Sequence, residues 1–205
     1  MDVPGRPLTG IVLAGGSSTR FGVDKASALF RGETMLQLVC RALEVACDRI
    51  VVVLAPGQLS PRFSVAIPAE TVTDDVAGRG PLEGIRRGLQ ATATDLAAVV
   101  ATDAPLLQPR LLTHLASLAV GHDAVVPQVG GILQPLVAVY RVAPMLAAVD
   151  DALAAGRRSV VAAIEGLDIL LVQEPELRSV DPELHSFRNA NTPQELAALE
   201  RLVLP

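Results

Sequence analysis

The residues with most to offer chemically lie between Leu13 and Lys25. The stretch reads Leu13-Ala14-Gly15-Gly16-Ser17-Ser18-Thr19-Arg20-Phe21-Gly22-Val23-Asp24-Lys25. Three glycines, three hydroxyls, one arginine and one lysine crowd into thirteen residues. Glycines let backbone N–H groups approach an anion closely, and successive N–H groups form an anion-binding concavity. Arg and Lys then supply charge for phosphate oxygens. The stretch is not a dinucleotide fingerprint, because Ser17 stands where G-x-G-x-x-G needs glycine. It is not a P-loop either, because Lys25 comes three residues after Gly22. Lys25 is also the one lysine among 17 basic residues, the other 16 being arginine. In a chain so biased toward arginine, a retained lysine is a candidate for a task that arginine cannot do.

Four further segments carry polar groups where chemistry can happen. Thr102-Asp103-Ala104-Pro105 follows an apolar run, so Asp103 is expected to emerge at a sheet edge. A carboxylate there suits Mg²⁺, a hard cation that keeps several waters and binds phosphates. Asp74 to Gly84 reads Asp-Asp-Val-Ala-Gly-Arg-Gly-Pro-Leu-Glu-Gly and leads into a helix N-terminus, with its free N–H groups. Gln134-Pro135-Leu136 and Asn189-Ala190-Asn191-Thr192 are the remaining two. Taken singly, an Asp before a proline or an Asn before a helix is an ordinary turn residue.

The elements that must position these loops are legible from periodicity. Leu8–Leu13, Ile50–Leu54 and Leu96–Ala101 are short apolar runs of the kind found in buried parallel strands. Val65–Ile67, Ala124–Val126, Leu136–Val139 and Ile169–Val172 are further strand candidates, with Gly130-Gly131 turning between two of them. Thr34 and Gln37 form a capping box that opens a helix with an apolar stripe of Leu36, Val39, Cys40 and Leu43. Gln37, Arg41, Glu44 and Asp48 line its opposite face. Pro81 starts a helix at its first position, with Leu82, Ile85 and Leu89 inward; Gly84 and Gly88 within it suggest close packing on a sheet or, at Gly84, a ligand nearby. Helices are also expected at Pro109–Val120, at Ala143–Ala155 and, opened by Thr192-Pro193-Gln194-Glu195, to about Leu202. Strands alternating with helices make an α/β architecture with a mainly parallel central sheet covered on both faces. One domain over residues 8–205 is expected, with residues 1–7 a short flexible tail. In such sheets ligands sit beyond the carboxyl ends of the strands, where these loops fall.

Composition excludes other classes. The net charge is −5 and aromatics make up 2%, so neither a basic stripe nor stacking platforms for nucleic acid are expected. No apolar run reaches the roughly 18 residues of a membrane span, and Met1–Pro7 lacks the apolar core of a signal peptide. A cytoplasmic location is expected. Cys40 and Cys47 stand seven apart in a helix, roughly 10 Å along its axis, too far for a mutual disulfide. His114, His122 and His185 show no metal-ligand spacing.

Taken together, the five loops resemble the molybdenum cofactor guanylyltransferases of the MobA type, within the wider nucleotidyltransferase superfamily. The resemblance runs from about Thr9 to Leu202. It implies a three-layer α/β/α Rossmann-like nucleotidyltransferase fold and a specific reaction. The terminal phosphate of molybdopterin attacks the α-phosphorus of Mg²⁺-GTP, giving a guanine dinucleotide cofactor and pyrophosphate. By the same resemblance, the backbone of Leu13, Ala14, Gly15 and Gly16 holds the nucleotide. Arg20 and Lys25 neutralise the β- and γ-phosphates, and Asp103 ligates Mg²⁺. Asp74, Gly80, Pro81 and Leu82 contact the guanosine. Gln134, Asn189 and Asn191 face the acceptor or support the metal. Asp74 is chosen over Asp75 because it lies six residues before Gly80. Phe21 departs from the methionine usual there. Gly15-Gly16 is the guanine-type form, whereas cytosine-using relatives tend toward Ala-Ala-Gly. The partners implied are the small molecules GTP and molybdopterin, with other cofactor-biosynthesis proteins or apo-molybdoenzymes beside them. A cytidylyltransferase for the same pterin, a sugar-phosphate nucleotidyltransferase and a non-catalytic nucleotide-binding regulator stay open as alternatives at this stage.

Overall fold

The structure is a computed structural model and describes residues 7–15, 25–74 and 80–202. The first strand, β1 (Leu8–Leu13), is buried along its whole length. A small hairpin follows, β2 (Leu29–Phe30) and β3 (Glu33–Thr34), then α1 (Met35–Ala46), β4 (Arg49–Leu54) and β5 (Ala69–Thr73). The chain continues through α2 (Pro81–Gln90), β6 (Leu96–Ala101), α3 (Pro109–Ser117), β7 (Ala124–Val129), β8 (Ile132–Leu133) and β9 (Val137–Arg141). It ends with α4 (Val142–Ala154), α5 (Val160–Ile164), β10 (Ile169–Gln173), α6 (Glu174–Val180) and α7 (Pro193–Leu202).

The main sheet has the order β10-β7-β9-β6-β1-β4-β5, with β8 pairing β7. β1 sits near its centre between β4 and β6, both parallel to it, and Leu13 lies opposite Val53 and Ala101. β5 continues the parallel half and β10 runs parallel to β7; only β9 and the short β8 run against their neighbours. The β7–β8 turn passes through Gly130 and Gly131, both at positive φ, as a two-residue hairpin turn requires.

Alternate β1 residues feed opposite faces. Leu8 and Val12 join a core cluster with Leu36 and Leu43 of α1, Leu111 of α3 and Leu177 of α6. Ile11 and Leu13 join another with Ile85 of α2, Met145 of α4 and Val160 of α5. The result is a three-layer α/β/α molecule with a mostly parallel sheet, as expected. Gly88 is the tightest point of this packing: a Cβ there would lie 2.4 Å from Ile11 Cγ2. Cys40 and Cys47 are buried free thiols. Among the described residues, no helix is long and apolar enough to cross a membrane.

Two local expectations change. Val65–Ile67 is not a strand; the edge strand beside β4 is Ala69–Thr73. The apolar pair packs against the core under α1, while the chain around it is held by side chains of that helix. Gln37 donates from its amide to Ser64 O (2.9 Å) and accepts from Ser64 N (2.8 Å), and Glu44 accepts from Ala66 N. This also breaks the expected capping box. Thr34 Oγ1 does accept from Gln37 N (3.1 Å), but the Gln37 side chain serves the loop instead of the cap.

Candidate active site

The carboxyl end of β1 is built for close approach. The N–H groups of Ala14 and Gly15 both donate to Val53 O, at 2.8 and 3.0 Å, which folds the start of the glycine loop onto β4. A Cβ on Gly15 would sit 2.6 Å from Ala55 N, so only glycine fits that crossing. Gln58 fastens the same corner: its amide donates to Ala14 O (3.0 Å) and accepts from Ala55 N (2.9 Å). On the other flank, Thr102 N donates to Leu13 O (3.4 Å), which sets the start of the Asp103 turn against β1.

Asp103 lies two residues beyond the end of β6. Its carbonyl accepts from Ala190 N (2.8 Å), so the Asn189–Thr192 segment is docked on the Asp103 turn by backbone. Lys25 opens a short 3₁₀ turn, Lys25–Ser27, whose Ala26 is buried. From there Nζ donates to Asp103 Oδ2 at 2.9 Å and to Asn191 Oδ1 at 2.7 Å. The Lys25 and Asp103 side chains are 20% and 19% exposed, so the pair is shielded yet reachable. Three residues from widely separated parts of the chain thus meet at the sheet's carboxyl edge. Asn191 is itself held: its backbone N donates to Glu195 Oε2 (2.6 Å), while Glu195 N donates to Thr192 Oγ1 (3.1 Å) at the start of α7.

The other expected residues fall into place less centrally. Asp74 follows β5, with its N–H on Leu54 O (2.8 Å). Its carboxylate lies 4.0 Å from where a Gly84 Cβ would be, against Leu13 and Val53. Gly84 therefore lets α2 close over the strand ends beside Asp74. Gly80 takes φ +84 at the N-cap of α2 and Pro81 holds the first helical position. Leu82 is fully buried in the core, so any contact it makes with a ligand is through backbone. Gln134 stays in its own turn, donating from N to Pro127 O and from Nε2 to Ile132 O. Asn189 is exposed, and among the described residues no hydrogen bond joins it to the Lys25–Asp103–Asn191 cluster. Gly16 and Arg20 lie outside the described residues.

Sequence reasoning missed Gln58 and Tyr140. Gln58 sits in an irregular loop with no pattern to mark it. Tyr140, the one tyrosine, is fully buried in β9, and its OH donates to Pro135 O (2.7 Å). Burial pushes this phenol far above its usual range. A buried phenol needs a hydrogen-bond partner, which was the available signal. The bond fixes the Gln134-Pro135-Leu136 turn, whose Leu136 O accepts from Ala101 N (3.2 Å) next to the Asp103 turn.

The donor set fits a hard cation shared with phosphates. Asp103 and Asn191 present a carboxylate and an amide oxygen, both suited to Mg²⁺. Among the described residues there is no cluster of three or more His, Cys, Asp or Glu able to hold a metal.

Comparisons with known proteins identify the family. Residues 10–168 match the MobA-like NTP transferase domain. A probable molybdenum cofactor guanylyltransferase of Natronomonas pharaonis is 37% identical over 206 residues, covering 95% of this chain and 98% of the relative. The molybdenum cofactor guanylyltransferase of Desulfosudis oleivorans is 34% identical, covering 96% of each chain. Among solved structures, molybdopterin-guanine dinucleotide biosynthesis protein A of Archaeoglobus fulgidus superposes with a TM-score of 0.80 at 28% identity, covering 95% of this chain and 97% of the other. The 2-C-methyl-D-erythritol 4-phosphate cytidylyltransferase of Thermus thermophilus shares the fold, with a TM-score of 0.70 at 19% identity over 94% and 96% of the two chains. The chain belongs to the MobA-like NTP transferase family, whose nucleotidyltransferase fold it carries around the Lys25–Asp103–Asn191 cluster.

Proposed function

We propose that this chain transfers GMP from GTP to the terminal phosphate of molybdopterin, with residues 8–205 acting as one nucleotidyltransferase domain. The observation that carries the reading is the Lys25–Asp103–Asn191 cluster at the carboxyl edge of the sheet, in a chain 34–37% identical over nearly its whole length to proteins named for that transfer. An oxygen of the acceptor phosphate bonds to the α-phosphorus as the bond from that phosphorus to the bridging oxygen breaks, and pyrophosphate leaves. The attacking phosphate is already anionic, so no general base is required. What remains for the protein is positioning and charge neutralisation.

The residues divide that work. The Ala14 and Gly15 N–H groups are engaged by Val53 O, so Gly15 serves by letting the nucleotide approach the backbone closely at the end of β1. Lys25 has a third ammonium proton beyond the two donated to Asp103 and Asn191, and it faces the phosphates as pyrophosphate departs. Arg20 shares that task. Asp103 would hold Mg²⁺, which when bound neutralises charge building on the phosphates, and Asn191 supports the site by holding Lys25. Asp74 and the Gly80–Leu82 turn frame the guanosine, while Gln134 and Asn189 face the acceptor. The reaction belongs in the cytoplasm, with other cofactor-biosynthesis proteins or apo-molybdoenzymes delivering or receiving the pterin.

Thermal stabilisation by GTP, CTP, UTP and ATP with Mg²⁺ tests the nucleotide. A ligand at 100 times its dissociation constant should add about 2.7 kcal/mol. Selective stabilisation by CTP would overturn the guanine assignment. Absence of pyrophosphate release from GTP with molybdopterin would overturn the transferase reading itself.

A further inference from the structure

We infer that Glu195, a residue with no place in the chemistry above, is a positioning residue for Lys25, acting through the backbone of Asn191. In an ordinary capping box the Glu three residues into the helix reaches back to the N–H of the cap residue. Here Thr192 is the cap, since its Oγ1 accepts from Glu195 N. The Glu195 carboxylate passes over Thr192 and accepts from Asn191 N at 2.6 Å. A charge-assisted bond of this length is the stronger kind. It fixes the peptide whose side chain accepts from Lys25 Nζ.

The anchor at the other end is apolar. Leu196 and Leu199, just beyond Glu195, pack with Ala28, Phe30 and Met35, which follow Lys25 in the chain. The elements holding Lys25 and Asn191 are thus clamped together on one side by this cluster. On the other side the Asn189–Thr192 segment hangs from Asp103 O by Ala190 N. Between those attachments, the Asn191 peptide donates its N–H to the Glu195 carboxylate. Release of that bond frees Asn191 Oδ1 to turn away, and Lys25 loses one of its two acceptors. The charge is retained and its aim is lost. An ammonium that neutralises a leaving group needs that aim most in the transition state, so the cost falls on kcat.

Lys25 being the chain's one lysine makes the test direct. Lysine labelled with ¹⁵N at the side chain yields a single protein ammonium signal, readable without nucleotide, metal or turnover. Glu195→Ala should shift and broaden that signal and lower kcat for pyrophosphate release about tenfold, with KM for GTP within twofold. Glu195→Gln keeps an acceptor oxygen and should restore both. Thr192→Ala removes the other half of the cap, so it should lower Tm as Glu195→Ala does while leaving the lysine signal and kcat unchanged. Glu195→Ala added to Asn191→Ala should cost nothing further, as expected of residues acting as one unit. An unmoved lysine signal in Glu195→Ala, equal kinetic effects of the Glu195 and Thr192 variants, or fully additive losses with Asn191→Ala would overturn the inference. The kinetic arm rests on the proposed transfer reaction. If the wild-type chain releases no pyrophosphate from GTP, that reading fails, and the lysine signal still decides the role of Glu195.

Discussion

Gly15→Ala isolates the packing that the nucleotide loop depends on. The added Cβ would lie 2.6 Å from Ala55 N, 3.0 Å from Leu54 C and 3.1 Å from Ala55 Cα. All three are backbone atoms of the chain leaving a central strand, so none can rotate aside. Ordinary contact begins near 3.4 Å, and one strand end must retreat by most of an ångström. The retreat stretches the Gly15 N–H bond to Val53 O, now 3.0 Å. Overpacking costs about 1–3 kcal/mol and a lost hydrogen bond about 1 kcal/mol. The sum, about 2–4 kcal/mol, lowers Tm by roughly 5–15 °C at this chain length. Because the displaced atoms are also the proposed nucleotide contact, the Tm gain on adding Mg²⁺-GTP should shrink as well. Gly88→Ala is the control. Its Cβ would meet the Ile11 side chain at 2.4 Å, inside the sheet–helix layer, and about 1 kcal/mol of helix propensity returns. It should lower Tm and leave the GTP-induced gain intact. A Gly15→Ala protein with wild-type Tm and an undiminished GTP gain would refute the reasoning.

Lys25→Ala and Asp103→Asn should each abolish pyrophosphate release while circular dichroism shows an intact fold. Lys25→Arg should also be poor, because a planar fork cannot reproduce an ammonium that meets two acceptors at 2.9 and 2.7 Å; near-wild-type rates in Asp103→Asn or Lys25→Arg would contradict these assignments. Burial, aided by Glu44 beside Cys40 and Asp48 beside Cys47, pushes both thiols up from about 9 to about 12. Above pH 9 the unfolded chain gives up thiol protons that the native chain keeps, so stability falls as pH rises from about 9 to about 12. The slope reaches about 1.4 kcal/mol per pH unit for each thiol. Tm measured from pH 8 to 11 should fall less steeply in a Cys40→Ala/Cys47→Ala variant than in the wild type, and identical slopes would refute the assignment.

The strands that hold the site were legible because central parallel strands are apolar almost throughout, and Leu8–Leu13, Ile50–Leu54 and Leu96–Ala101 are such runs. Their loops were legible because glycine, Asp and Asn have few reasons to gather after strands. Val65–Ile67 misled because its apolar spacing serves packing under α1, and the bonds that hold it come from Gln37 and Glu44, residues that read as a solvated helix face. The same diversion of Gln37 undid half a capping box. β2 and β3, two residues each, are too short to impose any period. Asn189 and Asn191 look alike in sequence, and only the backbone bond from Ala190 to Asp103 decides which of them reaches Lys25. Gln58 carries no local signal, since its partners Ala14 and Ala55 lie on two different strand ends.

The division of the core has a consequence for how the site is held. Asp103 follows β6, whose strand feeds both large clusters flanking the sheet. Asn191 instead depends on a third, small cluster of Ala28, Phe30, Met35, Ala190, Leu196 and Leu199, and Lys25 stands between the two, since Ala26 beside it joins the large cluster under α1. Full burial of a Leu, Phe or Met contributes about 1.5–3 kcal/mol, so four such side chains, Phe30, Met35, Leu196 and Leu199, set an upper scale of about 12 kcal/mol for this satellite, before the entropy of ordering two segments is subtracted. Local opening of α7 therefore costs less than global unfolding. Such an opening takes the Asn191 amide away from the ammonium without disturbing the strands. The second acceptor of the cation at the heart of the proposed chemistry is thus placed by one of the least expensive parts of the fold to rearrange, while the carboxylate that cation also meets follows a central strand.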